Sequence, residues 1–242
     1  MRKALGWLLT PLHVALFMAV LLVFHVAQVL ASPFGYAAHK RVVDYLNYCI
    51  LASLKVVGTR IELFCEHQLP TDEPLIVVAN HQSMYDIPML GWMFRKHHPK
   101  YVAKIELGKG VPSISYNLRH GGSVLIDRSD PPAAMRAIKR FGTQVEEHRY
   151  AACIFPEGTR ARGGVMKEFT PAGLMILVRA IPSATIVPVA IDGSWELMRY
   201  RVRPIPFGVR IRCTALAPIG RDEYPLKDIA GIIENRIRES LE

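Results

Sequence analysis

Leu75-Ile76-Val77-Val78-Ala79-Asn80-His81-Gln82-Ser83-Met84-Tyr85-Asp86 sets an unbroken apolar run directly against a polar turn. A short continuous run rich in branched residues reads as a strand buried on both faces. Ser83 and Asp86 then form the Ser-x-x-Asp pattern that opens a helix. A buried strand giving way to a helix is the unit of an α/β fold. Downstream the same rhythm recurs. Strands are expected at Tyr101–Ala103, Ser123–Ile126, Ala152–Phe155, Ile186–Ile191 and Val209–Leu216. Helices are expected at Ile87–Arg95, Ser113–Leu118, Pro131–His148, Pro171–Ala180 and Leu226–Leu241. Ser129-Asp130 before Pro131-Pro132 is a good helix start, since proline is tolerated in the first turn. The expected fold is therefore α/β, a mixed central sheet flanked by helices.

Upstream of Thr71 the composition changes. Between Lys3 and His39 there is no Asp, Glu, Lys or Arg. A helix from Leu5 to Ala31 would be ~40 Å long, enough to cross a bilayer. Arg2 and Lys3 before the run, and Val29-Leu30-Ala31 after it, also fit a signal peptide, although the apolar region is long for one. The turn Ser32-Pro33-Phe34-Gly35 leads to a second helical segment, expected over His39–Leu63, with Lys40, Arg41, Asp44, Lys55 and Arg60 on its polar side and ends. The leading reading is a two-helix membrane anchor, inserted in one leaflet or crossing and partly returning. The expected organisation is a membrane-associating segment over residues 1–70 and a catalytic domain over 71–242.

Composition agrees with a membrane partner. The chain has 242 residues, 50% of them hydrophobic and 21% charged, with a net charge of +9. Disordered and collagen-like classes are excluded. A basic balance points to an anionic partner, and the greasy background favours a lipid surface over nucleic acid. No helix-turn-helix, zinc spacing or RNP-type aromatic motif is present, which sets aside a nucleic-acid-binding module. Cys49, Cys65, Cys153 and Cys213 are dispersed without a CxxC pair, as befits free thiols.

Four groups fall just beyond expected strand ends: His81, Lys104, Arg128 and Arg160. Open α/β sheets bind ligands there, so these groups are expected to converge. His81 and Asp86 are five apart and do not meet on a regular helix. They meet if His81 lies in the strand-to-helix loop. An Asp bound to one imidazole nitrogen leaves the other free to take a proton from a hydroxyl. Phe155-Pro156-Glu157-Gly158-Thr159-Arg160 follows a strand, with Gly158 for close backbone approach and Arg160 as a fork for phosphate. A hydrolase using the same pair lacks its GxSxG elbow. His97-His98 reads as a solvated basic loop. Arg199, Arg201 and Arg203 alternate, as strand residues sharing one face would, and suit either anionic lipid or an acidic carrier protein.

Asn80–Asp86, Gly122–Arg128, Phe155–Arg160 and Ile186–Ile191, in this order, resemble the four motifs of the glycerolipid acyltransferases, most closely the branch acting on 1-acylglycerol-3-phosphate. The resemblance implies the following roles. His81 is the general base on the hydroxyl of a lysophospholipid, oriented by Asp86, and the acyl group comes from acyl carrier protein or a CoA thioester. Lys104, Arg128 and Arg160 hold the acceptor phosphate. Glu157, Gly158 and Thr159 belong to the acceptor site, with Glu157 orienting Arg160, and Pro188 lines the acyl or donor region. No metal or resident cofactor is implied. The expected product is phosphatidic acid, made by a membrane enzyme whose catalytic domain faces the cytoplasm, as at a bacterial inner membrane. Thr170 stands where relatives often carry Lys, with Lys167 as a substitute. Ser115 stands where many have Gly, and Arg119 is an extra basic residue. These departures leave another acceptor, such as lyso-ornithine lipid, open.

Overall fold

The computed structural model describes residues 2–242. Seven strands form one sheet in the order β1-β7-β6-β2-β5-β3-β4. They are β1 (Arg60–Cys65), β2 (Leu75–Ala79), β3 (Pro99–Lys104), β4 (Val124–Ile126), β5 (Ala151–Ile154), β6 (Thr185–Asp192) and β7 (Arg210–Ala215). Every neighbouring pair is parallel except β6 and β7. The mixed sheet is thus as expected. The helices are α1 (Arg2–Ala31), α2 (Tyr36–Ser53), α3 (Asp86–Met93), α4 (Ile114–His120), α5 (Pro131–His148), α6 (Pro171–Ala180) and α7 (Ile229–Glu239).

All of β2 is buried because both faces of the sheet are covered. Leu75, Val77 and Ala79 pack with Leu46, Leu54, Met89 and Leu90 from the α2 and α3 side. Ile76 and Val78 point the other way, into a core with Ile138, Leu174 and Ile233 of α5, α6 and α7. This two-sided burial is the physical reason the segment reads as a continuous apolar run rather than an alternation. Helix α5 begins as expected: Asp130 Oδ1 accepts the Ala133 N–H at 3.0 Å, and proline occupies the first turn.

Two expectations are corrected. The second helical segment does not run to Leu63. It ends at Ser53, passes through a short 3-10 turn, and breaks at Gly58, whose φ of +69° is left-handed. A Cβ at Gly58 would stand 2.6 Å from the Phe207 ring, so the break is fixed by close packing as well. Residues after it form β1, an edge strand paired with β7, in which four of six residues are exposed and none is buried. Its Arg-Ile-Glu-Leu alternation marks a strand, and Gly58 is the stop signal that separates it from the helix. Arg199, Arg201 and Arg203 are likewise not in a strand. They follow a 3-10 turn over Ser194–Met198, and Arg201 and Val202 have positive φ.

Helix α1 carries its polarity inside out. Its buried residues are Gly6, Thr10, His13, Leu21 and Gln28, spaced along one stripe, and four of these five are small or polar. Each polar one is used. Thr10 Oγ1 accepts the Ile205 N–H at 3.0 Å, and Gln28 Nε2 donates to Ser113 Oγ. His13 lies between the Ser53 carbonyl (Nδ1, 3.0 Å) and the Tyr85 hydroxyl (Nε2, 2.8 Å). A carbonyl only accepts, so Nδ1 donates and Nε2 accepts from Tyr85. Trp7, Leu8, Leu12, Leu22, Val23 and Val26 meanwhile face outward.

Candidate active site

His81 sits in the loop after β2, and Asp86 is the first residue of α3. His81 Nδ1 is 2.8 Å from Asp86 Oδ2. That same oxygen accepts the backbone N–H groups of Gln82 at 2.6 Å and Ser83 at 2.8 Å. Asp86 Oδ1 accepts the hydroxyls of Ser83 at 3.0 Å and Ser194 at 2.6 Å. Five donors converge on one wholly buried side chain. Two backbone N–H groups and two hydroxyls thus already donate to the carboxylate, which acts as an acceptor throughout. With Asp86 accepting, Nδ1 carries the imidazole proton and Nε2 presents its lone pair. The ring is stacked on Phe155, centroids 4.2 Å apart, which fixes its plane.

The loop backbone is braced from two sides. Asn80, wholly buried, exchanges two hydrogen bonds with the Ile191 backbone at 2.8 and 2.7 Å, tying the end of β2 to β6. Glu157 Oε1 accepts the His81 N–H at 2.6 Å, and its Oε2 accepts the Lys167 N–H at 2.9 Å. Glu157 is therefore a bracket between two loops. It makes no hydrogen bond to Arg160, contrary to the expected orienting role, because both carboxylate oxygens are aimed at backbone. Burial raises its pKa from the ordinary carboxylate value, against the pull of the two backbone donors.

A cleft of about 670 Å³ opens beside His81. His81, Lys104, Arg128, Gly158, Thr159 and Arg160 all line it. Residues drawn from the ends of β2, β3, β4 and β5 thus converge, as strand-end placement predicts. Lys104, Arg128 and Arg160 are solvent-exposed and have no ion-pair partner among the described residues. Arg128 Nη1 donates to the Gly158 carbonyl. Gly158 has φ +71°, so its glycine is required by backbone conformation. Lys167 Nζ donates to Thr159 Oγ1 at 2.7 Å, which places a further cation beside the rim.

Away from the cations the cleft is walled by apolar side chains such as Val43, Ile50, Met84, Ile87, Leu107 and Ile114. Its far part reaches Tyr36, Lys40, Asp44 and Lys100. Lys100 is buried, donates to Tyr36 Oη at 2.9 Å and lies over the Tyr36 and Tyr150 rings. Burial and the nearby Lys40 hold its ammonium down to about 8. His98 stacks with Tyr36 and Tyr150, so the His97-His98 pair is not a solvated loop. Pro188 is buried within β6 and does not line the cleft, because β6 is a central strand covered on both faces.

Gln82, Ser194 and Tyr85 belong to this site. Gln82 and Tyr85 lie within the Asn80–Asp86 motif, which gives neither a role, and Ser194 lies outside every motif. Ser194 follows Gly193, whose φ is +77° and whose Cβ position is filled by the Arg210 carbonyl at 2.2 Å. A glycine directly after a long apolar strand is the one local signal that the chain turns sharply there.

The sequence profile of the Acyltransferase family matches residues 60–192. A 1-acyl-sn-glycerol-3-phosphate acyltransferase of Helicobacter pylori is 33% identical over 138 residues, covering 53% of this chain and 55% of its own length. One from Limnanthes douglasii is 28% identical over 162 residues, covering 66% and 55%. The alpha form from Ovis aries is 27% identical over 198 residues, covering 81% and 66%. The chain spans about half the length of the first curated relatives it matches. In three dimensions it is similar to the crystal structure of the 1-acyl-sn-glycerophosphate acyltransferase PlsC from Thermotoga maritima. That similarity has a TM-score of 0.81 at 21% identity and covers 99% of this chain and 96% of the other, a likeness of fold.

Proposed function

The chain belongs to the acyltransferase family, and on that premise we propose that it transfers a fatty acyl group from a thioester to the free hydroxyl of a lysophospholipid. The acceptor we favour is 1-acylglycerol-3-phosphate, with phosphatidic acid as the product. One observation carries this reading: His81, whose Nδ1 is taken up by Asp86, lines a cleft that joins exposed cations to apolar walls. Phosphate suits the first and acyl chain the second.

In the proposed reaction Nε2 takes the acceptor hydroxyl proton as the oxygen attacks the thioester carbonyl carbon. The resulting imidazolium is stabilised by the buried Asp86 carboxylate. Collapse of the tetrahedral intermediate forms the ester, breaks the carbon–sulfur bond and expels a thiolate, which recovers the proton from Nε2. Lys104, Arg128 and Arg160 hold the phosphate, where charge-assisted bonds are strongest. Thr159 and Gly158 shape that rim. Glu157 acts at one remove, by holding the His81 backbone.

We further infer that α1 and α2 seat the enzyme in one leaflet of a membrane. Helix α1, ~45 Å long, is fastened to the body near both ends, by Thr10 on Ile205 and Gln28 on Ser113. It runs along the body and cannot stand across a bilayer apart from it. Its apolar residues face away from the protein, the arrangement a lipid surroundings favours.

The deciding test is turnover of the purified full chain with lysophosphatidic acid and with other lysolipids, lyso-ornithine lipid included. Acyl-CoA and acyl carrier protein serve as donors, and His81→Ala is run alongside. Esterification of lysophosphatidic acid, lost by more than about 100-fold in the variant, is expected. Undiminished turnover by the variant removes His81 from the reaction, and use of lyso-ornithine lipid alone removes the favoured acceptor.

A further inference from the structure

The segment between Met198 and Val209 lies against the first turns of α1. Arg2 donates to the carbonyls of Phe207 at 2.9 Å and Gly208 at 3.0 Å, and Lys3 lies over the Tyr200 ring at 4.9 Å. Gly6 is pressed onto Ile205, where a Cβ would come within 2.3 Å of the backbone oxygen. This packing carries Arg199, Arg201 and Arg203 to the amino-terminal end of α1, and all three are exposed. Arg199 stacks on Trp195 at 4.7 Å. Among the described residues none of the three, nor Lys3, is in an ion pair, and Arg2 alone meets an acid, Glu196 at 3.6 Å. Directly alongside, Trp7, Leu8 and Leu12 are more than half exposed.

Uncompensated cations bordering exposed tryptophan and leucine form the pattern of a surface at the boundary between headgroups and acyl chains. An acidic protein would pair with the arginines but would leave the adjoining apolar stripe of α1 unmet. From this juxtaposition we propose that Arg199, Arg201 and Arg203, with Arg2 and Lys3, form a collar for the phosphate headgroups of anionic lipids at the amino-terminal end of α1. The proposal rests on the membrane-seated reading above and adds a lipid charge preference to it. The collar also sets depth: the guanidinium groups stay at headgroup level while Trp7, Leu8 and Leu12 enter the acyl region.

The test is partition of the full chain onto vesicles of phosphatidylcholine alone and of phosphatidylcholine doped with phosphatidylglycerol. The comparison includes R199Q/R201Q/R203Q, R199K/R201K/R203K and, as a distal basic control on α5, R136Q/K139Q/R140Q. The unaltered chain is expected to favour the anionic vesicles, less so at high salt. The glutamine variant loses that preference by about 10- to 100-fold while still binding phosphatidylcholine. The lysine variant and the control keep it. Preference retained by the glutamine variant, or lost equally in the lysine variant or the control, overturns the collar. Equal binding of the unaltered chain to both vesicles overturns the collar alone. Binding to neither overturns the membrane-seated reading as well. A glutamine variant that keeps the lipid preference but loses turnover only with acyl carrier protein assigns the surface to an acidic protein instead.

Discussion

Ser194 Oγ lies 2.6 Å from Asp86 Oδ1, although 108 residues separate the two in sequence. The bond closes the ring of donors around Asp86 and ties the catalytic pair to the turn that follows β6. Ser194 touches no open part of the cleft, so it is a positioning residue. Ser194→Ala is expected to lower kcat by about 10-fold, with little change in the KM for the acceptor. Ser194→Thr keeps the hydroxyl and should restore most of the lost kcat. Steady-state kinetics of both variants check this, and a loss in Ser194→Thr equal to that in Ser194→Ala confines Ser194 to a packing role.

Glu157 uses both oxygens to accept backbone N–H groups, from His81 and from Lys167. Glutamine offers one acceptor and turns an amide N–H toward the other donor. Glu157→Gln is therefore expected to lower kcat by about 10-fold or more through displacement of His81. A variant that instead raised only the acceptor KM would place Glu157 at the substrate.

The exposed cations at the rim have a separable signature. Arg160→Ala and Lys104→Ala should each raise the KM for a phosphate-bearing acceptor by about 10-fold. A lysolipid without phosphate should be indifferent to both. Kinetics with the two acceptor classes make the comparison, and equal loss on both would remove the phosphate clamp.

Lys100 makes a prediction about stability. Its folded pKa of about 8 lies below the ordinary lysine value of 10.5. Between these two pH values the unfolded chain binds more protons than the folded one, so stability rises with pH through that window. The full gain is about 3 kcal/mol, and below pH 8 the folded protein carries the whole cost of the buried charge. Lys100→Met removes this dependence. Chemical denaturation of both proteins at neutral pH and near pH 10 measures the difference, and parallel curves would show that Lys100 is solvated when folded.

Local sequence was sufficient for β2 and α5 because their signals are local. Five apolar residues in a row need burial on both sides, and Asp130 before Pro131 caps a helix without help from elsewhere. It misled over residues 54–63, where reading the apolar residues as one continuous helical face passes over the break at Gly58 and the alternation after it. The close approach of Phe207 to Gly58, across 149 residues, fixes the break. Pro188 was misplaced for a related reason: its motif is buried structure, and its neighbour Ile191 serves the site only through backbone atoms.

The order of short motifs in the sequence by itself determined the α/β class and the gathering of His81, Lys104, Arg128 and Arg160, because strand ends in a largely parallel sheet share one edge. Only the tertiary structure decided what each group can do there. The tautomer of His81 depends on Asp86, which four other donors hold in place, one of them from Ser194. Glu157 turned from a partner of arginine into a brace of the His81 backbone. The apolar face of α1 was legible as grease, but its direction was not. That direction follows from where Thr10, His13 and Gln28 find hydrogen-bond partners, since buried polar groups must be satisfied and the remaining surface is left to face outward.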